Sequence, residues 1–149
     1  VYNKFMKTFS ETLQELLDER QLSVKDLQEY LQYADPSPIY FWLRDQKGLK
    51  LDTAVKLADY FGCSLDYLMG KREFEEKNAQ FKPCPPFGEQ LKRVLKEKGV
   101  SQYKLAKETE FKGGHFYKWF HQGSIPQMDT VSRLADYLEV SLDYLVGRE

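Results

Sequence analysis

The chain has 149 residues, of which 42% are apolar and 30% charged, and its formal net charge at pH 7 is −1. This composition is typical of a folded globular protein and excludes an intrinsically disordered chain. No apolar run approaches the roughly 18 residues that a membrane-spanning helix needs, so the sequence predicts a cytoplasmic protein without a membrane span.

The sequence contains an internal duplication. The segment "LADYFGCSLDYLMGKRE", which ends at residue 73, returns as "LADYLEVSLDYLVGRE" at residue 149. The likeness extends upstream with an offset of 78 residues as far as Leu27 and Leu105, and of 77 residues from Trp42 and Trp119 onward. One residue was therefore gained or lost between these two pairs of positions.

A repeat at a fixed offset predicts two similar domains joined by a linker. We expect the domains at residues 9–70 and 87–149, because the likeness between the two halves covers these ranges. Residues 71–86 are polar and rich in proline, which is typical of a linker, and a helical turn through "REFEEKN" is compatible with their composition.

Apolar spacing in both repeats predicts helices. The apolar residues of "FSETLQELL" in repeat 1 and "FGEQLKRVL" in repeat 2 follow the spacing i, i+4, i+7, i+8, which places them on one face of an α-helix. A similar stripe runs through residues 51–61 and 128–138. No run alternates with a period of two residues, so no strand is predicted.

Serines precede the second and the fifth predicted helix of each repeat. Ser23 and Ser101 can cap the second helix by accepting from its free N–H groups, and Asp26 completes a capping-box pattern in repeat 1. The fifth helix opens at Ser64 and Ser141. An aspartate follows each of these serines by two residues, where its carboxylate favours the positive end of the helix dipole.

Side chains that catalyse reactions or bind metals are too scattered to predict a site. Cys63 and Cys84 lie in unlike settings, and His115 and His121 are far from both, so no metal-ligand spacing and no disulfide framework is present. Cys63 stands where repeat 2 has a valine and is predicted to be a small buried apolar residue. Because there is also no glycine-rich phosphate loop and no nucleophile with a base at a recognisable spacing, we predict no enzyme, no metal and no cofactor.

Repeat 2 joins a helix-turn-helix pattern to a tryptophan, a glycine-containing turn, a proline and the closing segment "LADYLEVSLDYL". In this it resembles the Cro and phage-repressor (XRE-type) family of five-helix DNA-binding domains, and repeat 1 is similar at fewer positions. The resemblance implies an all-α fold of two tandem five-helix repressor-like helix-turn-helix domains. In repeat 2 it rests on Ser101, Gln102, Leu105, Ala106, Phe111, Phe116, Trp119, Gly123, Pro126, Leu134, Ala135, Leu138, Val140, Ser141, Leu142, Asp143 and Leu145.

The resemblance also implies a DNA-binding surface on repeat 2. In such domains the second and third helices meet at a tight turn, and the third helix enters the major groove. Gln102 would lie at the start of the second helix, and Gln122 and Ser124 would lie near a phosphate just past the third. The positions implied along the third helix are Lys112, Gly113, Gly114, His115, Tyr117 and Lys118.

Two glycines depart from the family pattern. Gly113 and Gly114 stand where many relatives carry long polar side chains, and direct reading of a base edge needs a side chain of reach. One interpretation is that close backbone approach allows Gln102, His115, Tyr117 and Lys118 to read the DNA. The alternative is a helix that has lost its specificity.

Repeat 1 departs further from the family. Its third helix begins in "ADPSPIYFWLRD", where Asp35 can cap the helix and the following proline fits the first turn. Val24 and Phe41 stand where repeat 2 has Gln102 and Lys118, and Asp35 would bring a negative charge toward phosphates. The surface that repeat 1 would offer to DNA is therefore poor.

The charge balance also makes repeat 1 less suited to bind DNA than repeat 2. Residues 9–73 contain 8 Lys and Arg against 12 Asp and Glu, a net of −4, whereas residues 87–149 contain 10 against 9, a net of +1. Neither half has the basic surface of a strong phosphate binder. Tyr40 and Phe41 are either a contact patch for a protein partner or are packed against the linker.

These observations predict a DNA-binding transcriptional regulator in which repeat 2 is the main reader of the major groove. Double-stranded DNA is the expected partner, and a homodimer is a possible assembly, because such domains usually read two half-sites as dimers. The alternative is a protein-protein interaction or dimerisation module that has kept the fold but lost operator binding.

Overall fold

The computed structural model of the protein describes residues 7–44, 48–73 and 80–149. The chain divides into two compact units, Val1–Ala79 and Gln80–Glu149. Within the described residues each unit contains five α-helices and no β-strand, so the predicted all-α fold is confirmed. None of the helices in these ranges has the length and hydropathy that a membrane crossing requires.

The first unit follows the helix order expected from the sequence. Its helices are α1 (Phe9–Glu19), α2 (Val24–Leu31), α3 (Ser37–Leu43), α4 (Leu51–Phe61) and α5 (Leu65–Leu68). They enclose an apolar core in which Cys63 is buried, as predicted. Core residues with no exposed surface are Leu13, Leu16, Leu27, Ile39, Ala54, Leu57, Ala58, Leu65 and Leu68.

Two side-chain hydrogen bonds join distant parts of the first unit. The Ser10 hydroxyl on α1 donates to the Leu43 carbonyl at the end of α3, over 2.6 Å. Arg20, just past α1, donates through Nη1 to the Phe61 carbonyl at the end of α4, also over 2.6 Å. Both acceptors are carbonyls from the last turn of a helix, which have no partner within the helix itself. These bonds therefore stabilise the helix ends and the packing together.

The second unit repeats this arrangement. Its helices are α6 (Phe87–Lys98), α7 (Gln102–Glu108), α8 (Gly113–His121), α9 (Met128–Leu138) and α10 (Leu142–Val146). The buried Gln90 on α6 donates through Nε2 to the Tyr144 carbonyl on α10 over 3.1 Å. Core residues with no exposed surface are Leu91, Leu105, Val131, Leu134, Ala135, Leu142 and Leu145.

The predicted serine caps are present. Ser23 and Asp26 form the reciprocal capping box, since the Ser23 Oγ accepts from the Asp26 N–H over 3.1 Å and the Asp26 carboxylate accepts from the Ser23 N–H over 2.8 Å. The Ser23 N–H and the Ser23 hydroxyl both donate to the Asp26 carboxylate, which lowers the pKa of Asp26. Ser101, Ser64 and Ser141 cap α7, α5 and α10 through their side-chain oxygens, each of which accepts one backbone N–H. Caps of this kind fix where each helix begins.

The start of α3 differs slightly from the sequence expectation. Pro36 precedes the helix as its N-cap residue, and Pro38 lies in the first turn instead. The Asp35 carboxylate accepts from the Ser37 N–H over 2.8 Å, and hydrogen bonding to the Ser37 side chain and backbone lowers the pKa of Asp35. Asp35 therefore satisfies a free N–H at the helix start, although it lies one residue before the N-cap.

Residues 80–86, which the sequence analysis assigned to a linker, belong to the second unit. The Lys82 N–H donates to the Arg148 carbonyl over 2.8 Å, and the Arg148 guanidinium lies 4.2 Å from the centroid of the Phe81 ring. Arg148 is fully buried, and its Nη1 lies 2.6 Å from Oδ1 of Asp143. Asp143 thus neutralises a buried cation as well as lying near the helix dipole. The helical turn considered in the linker falls mostly on residues 74–79, outside the described residues.

A glycine allows the close approach of α6 and α8. A Cβ atom added at Gly88 would lie 2.1 Å from the Trp119 carbonyl oxygen, which is far shorter than any real contact. The obstacle is backbone, so it cannot be relieved by a side-chain rotation. The packing of α8 on α6 therefore requires glycine at this position.

We expect the substitution Gly88→Ala to lower the free energy of unfolding by about 1–3 kcal/mol, because overpacking a close contact has this typical cost. The matched control is Gly114→Ala, whose Cβ would meet no atom within 4 Å. That substitution should raise stability by up to about 1 kcal/mol, since alanine favours the helix over glycine. Denaturant unfolding followed by circular dichroism measures both. Equal stability of the two variants would contradict the close-packing argument.

Candidate nucleic-acid interface

The helix-turn-helix of the second unit is formed by α7, a short turn and α8. Thr109, the C-cap residue of α7, donates from its hydroxyl to the Leu105 carbonyl over 2.6 Å. The same hydroxyl oxygen accepts from the Phe111 N–H over 3.2 Å. Because one side chain joins the end of α7 to the turn, it fixes the path of the chain into α8.

Lys112 adds a second connection between the two helices. Its ammonium group donates to the Ala106 carbonyl over 2.6 Å and to the Thr109 carbonyl over 3.2 Å. A cation at the C-terminal end of a helix is favourable to the helix dipole. Lys112, which is expected on the DNA-facing surface, is exposed, and its ammonium group holds the turn.

His115 caps the start of α8. Its Nδ1 atom accepts from the backbone N–H of Lys112 over 3.1 Å. The imidazole ring lies 5.6 Å from the Phe111 ring and 5.8 Å from the Trp119 ring, centroid to centroid. The residue as a whole remains exposed.

Buried aromatic residues fix the rotation of α8 about its axis. Phe116 and Trp119 are buried, and the Trp119 ring meets the rings of Phe87 on α6 and Phe111 in the turn at 5.8 and 5.6 Å. Residues three or four apart lie on the same side of a helix. The opposite side of α8, which carries Gly114, Tyr117 and Lys118, therefore faces outward, and all three are exposed.

Seven of the nine residues that the sequence analysis assigned to DNA lie between Lys112 and Gln122, on α8 or at its ends. Gln102 is the first residue of α7 and is exposed. Past the helix, the Gln122 and Ser124 N–H groups both donate to the Lys118 carbonyl, over 3.2 and 3.1 Å. The structure thus groups most of the predicted residues on one helix and leaves Gln102 on its neighbour.

Other exposed residues of α7 extend this surface and were not singled out from the sequence. Tyr103 is 77% exposed, and Lys104 and Lys107 are also exposed. The available signal was the amphipathic pattern of α7, in which Leu105 is the buried residue. Two cations on the outer side of α7 increase the positive charge available to a polyanion.

The corresponding surface of the first unit is apolar. Val24, at the position of Gln102, is partly buried, while Tyr40 and Phe41 on α3 are 47% and 45% exposed. The Arg44 guanidinium lies 5.3 Å from the centroid of the Phe41 ring, and its Nε donates to the Tyr40 carbonyl. The second unit has Tyr117 and Lys118 at these two positions, so Phe41 is the aromatic ring that stands in place of a charged side chain.

Comparison with protein-family models gives two matches. Residues 13–68 match a helix-turn-helix model, and residues 90–149 match the Cro/C1-type HTH DNA-binding domain. The comparison with curated proteins found no match, and the comparison with solved structures found none either.

Both units are therefore helix-turn-helix domains. The chain carries two tandem Cro/XRE-type helix-turn-helix domains, as the sequence resemblance implied. Domains of this family point to a DNA-binding regulator and are typically not enzymes.

The contact between Lys112 and α7 gives a prediction for stability. Lys112→Ala should lower the free energy of unfolding by about 0.5–1.5 kcal/mol, because it removes the hydrogen bonds of an ammonium group to two helix-end carbonyls. Lys118→Ala is the matched control and should change stability by less than about 0.5 kcal/mol, as is usual for an exposed side chain. Thermal and denaturant unfolding measure both variants. A Lys112→Ala protein as stable as the control would show that the contact does not hold the turn.

Proposed function

We propose that this protein is a transcriptional regulator whose second unit reads the major groove of DNA with α8. The observation that carries the proposal is the outward face of α8. It is held in place by the buried Trp119 and presents polar side chains beside the exposed start of α7. The match of residues 90–149 to a DNA-binding domain model supports the same function.

Gln102 and Lys118 are the side chains best suited to read bases. Both are exposed, and neither side chain makes a hydrogen bond or ion pair within the ranges that the structure describes. An amide pairs with an adenine edge and an ammonium with the acceptors of guanine. Gln122 and Ser124, at the far end of α8, are assigned to phosphate contacts, which fix the register of the protein on the duplex.

The two glycines of α8 support close approach of the helix to DNA. A Cβ at Gly113 or Gly114 would meet no atom within 4 Å, and neither residue has a positive φ angle. Neither packing nor backbone conformation therefore requires glycine at these two positions, although glycine destabilises a helix by up to about 1 kcal/mol relative to alanine. We infer that the missing side chains leave room for the ligand, as direct contact between backbone and DNA requires.

Positive charge on this unit is modest, and part of it is already neutralised. Arg133 forms an ion pair with Glu110 over 2.8 Å, and Arg93 lies 3.6 Å from Glu97. Arg148 is buried and is paired with the Asp143 carboxylate. The cations left for phosphates include Lys104, Lys107 and Lys118. Few phosphate contacts imply moderate affinity with a moderate dependence on salt.

The first unit is proposed to have a different role. Tyr40 and Phe41 are each nearly half exposed on α3, and aromatic residues are enriched at protein interfaces. A contact between two copies of the chain through this unit would supply a second competent α8 for a second half-site. The second candidate function, an interaction module without operator binding, rests on the same two side chains.

The division of labour is tested with three variants titrated against a duplex selected by the wild-type protein. Lys118→Ala and Gln102→Ala should each weaken binding by about 1–3 kcal/mol, the usual cost of removing a base contact. Phe41→Ala, at the position equivalent to Lys118, should leave DNA affinity within about 0.5 kcal/mol. Gly114→Ala should weaken binding despite its higher stability, because its methyl group occupies the space left for DNA.

Circular dichroism of each variant controls for folding, and light scattering measures self-association. If Phe41→Ala abolishes DNA binding while Lys118→Ala and Gln102→Ala bind like wild type, the roles of the two units are reversed. If no variant changes affinity, α8 is not the reading helix.

A further inference from the structure

A cavity of about 270 Å³ opens between α7 and the C-terminal ends of α6 and α9 in the second unit. Its floor is apolar, since Leu138 is buried and Val100 is half-buried. This volume is just below the roughly 300 Å³ at which pockets for drug-sized ligands begin, so a small metabolite is the size of ligand that fits. Exposed charged side chains form the rim of the cavity, and they are Lys98, Lys104, Glu108 and Glu139.

Three of the four rim charges are available to a ligand. The ammonium groups of Lys98 and Lys104 and the carboxylate of Glu139 make no hydrogen bond or ion pair within the described residues. The fourth charge, the Glu108 carboxylate, accepts from the Tyr137 hydroxyl on α9. The rim therefore offers positive and negative groups together, above an apolar floor.

The first unit uses the corresponding positions for contacts with itself. Arg20, the equivalent of Lys98, donates through Nη1 to the Phe61 carbonyl over 2.6 Å, and its guanidinium lies 5.7 Å from the centroid of the Phe61 ring. In the second unit the smaller Leu138 stands in place of Phe61. A smaller side chain and a cation that bonds to nothing else in the described ranges leave both space and charge at this place.

Two charged residues of the rim are not required by the fold. Glu139 has a φ angle of 56°, in the left-handed region, where the first unit has Gly62 with a φ angle of 69°. Glycine is favoured at such a helix end because it adopts this conformation without strain. Lys104 stands where Asp26 completes the capping box of α2, and a lysine cannot accept the backbone N–H. At both positions the residue of the first unit therefore stabilises the backbone more.

We propose that this cavity binds a small zwitterion of the α-amino acid class. Its carboxylate would accept from Lys98 and Lys104, and its ammonium would donate to Glu139. Such charge-assisted hydrogen bonds are about twice as strong as those between neutral groups. Val100 and Leu138 would contact an apolar side chain of the ligand. A molecule that carries only one of the two charges would use only part of the rim and bind more weakly.

The test titrates the full chain with single L-amino acids by isothermal titration calorimetry, in the absence of DNA. For each amino acid that binds, the matched α-hydroxy acid lacks the ammonium group and the matched amine lacks the carboxylate; for alanine these are lactate and ethylamine. We expect at least one amino acid to bind. Each single-charge analogue should bind about ten- to a hundredfold more weakly, the value of a hydrogen bond to a charged group.

Variants that carry the residues of the first unit locate the site. Lys104→Asp and Glu139→Gly should keep the protein folded, because they supply a capping-box residue and a helix-end glycine, and each should weaken binding by about the same factor. Lys96→Ala is the control, since it removes an exposed cation of α6 that does not line the cavity. Its affinity for the amino acid should equal that of the wild type. Thermal unfolding without ligand checks that all three variants are folded.

Absence of binding by every amino acid would overturn the inference. So would variants Lys104→Asp and Glu139→Gly that bind as tightly as the wild type, because the ligand would then lie elsewhere. An α-hydroxy acid that binds as tightly as its amino acid would show a site for anions and would also contradict the proposal. Because no DNA is present, none of these results decides whether α8 reads DNA.

Discussion

The packing of Trp119 is the interaction on which the candidate interface depends. Its ring meets Phe87, Phe111 and Phe116, and its carbonyl oxygen lies so close to Gly88 that no side chain fits between α8 and α6. Truncating a buried aromatic residue typically costs about 3–5 kcal/mol. Because Trp119 fixes both the position and the rotation of α8, the outward direction of Lys118 follows from it.

Polar contacts hold the turn before α8 in addition to the aromatic packing that fixes the position and rotation of the helix. Thr109 and Lys112 tie the turn to the last carbonyls of α7, and His115 satisfies the N–H of the residue before α8. These bonds engage backbone groups at the end of α7 and the start of α8, where helices have fewer internal hydrogen bonds. The same residues that build the turn thus determine which donors remain for a ligand. Lys112 is used internally, whereas Gln102 and Lys118 stay accessible.

The two units show how one fold can carry two surfaces. Trp42 is buried in the first unit as Trp119 is in the second, and both units have five helices in the same order. The outward positions differ, since Phe41 replaces Lys118 and Pro38 replaces His115. Core positions specify the fold, whereas function depends on the residues carried by it. On this difference rests the proposal that the second unit is the one that reads DNA.

Much of the fold could be predicted from the sequence because its determinants are local. Apolar spacing of the helices and serine caps depend on residues within one or two turns, and these predictions are confirmed. The contact of the buried Arg148 guanidinium with the Phe81 ring could not be predicted in this way. Phe81 lies 67 positions before Arg148 in the chain, and no local sequence pattern links the two residues.

The candidate interface was only partly predictable for the same reason. The sequence pattern located α8 and Gln102, but not the internal use of Lys112, since the chain before α8 must turn back for its ammonium to meet α7. Likewise, Nδ1 of His115 accepts a hydrogen bond that no composition or spacing reveals. Residue type alone gave candidates, and the geometry adds which of their polar groups already bond to the protein.

Selection from a randomised duplex pool by the purified full chain at low salt tests the central claim most directly. The account predicts enrichment of a consensus, and loss of that enrichment when Gln102 and Lys118 are both replaced by alanine. Failure of the wild-type chain to enrich any sequence, in a protein shown to be folded, would contradict the claim that its second unit reads DNA.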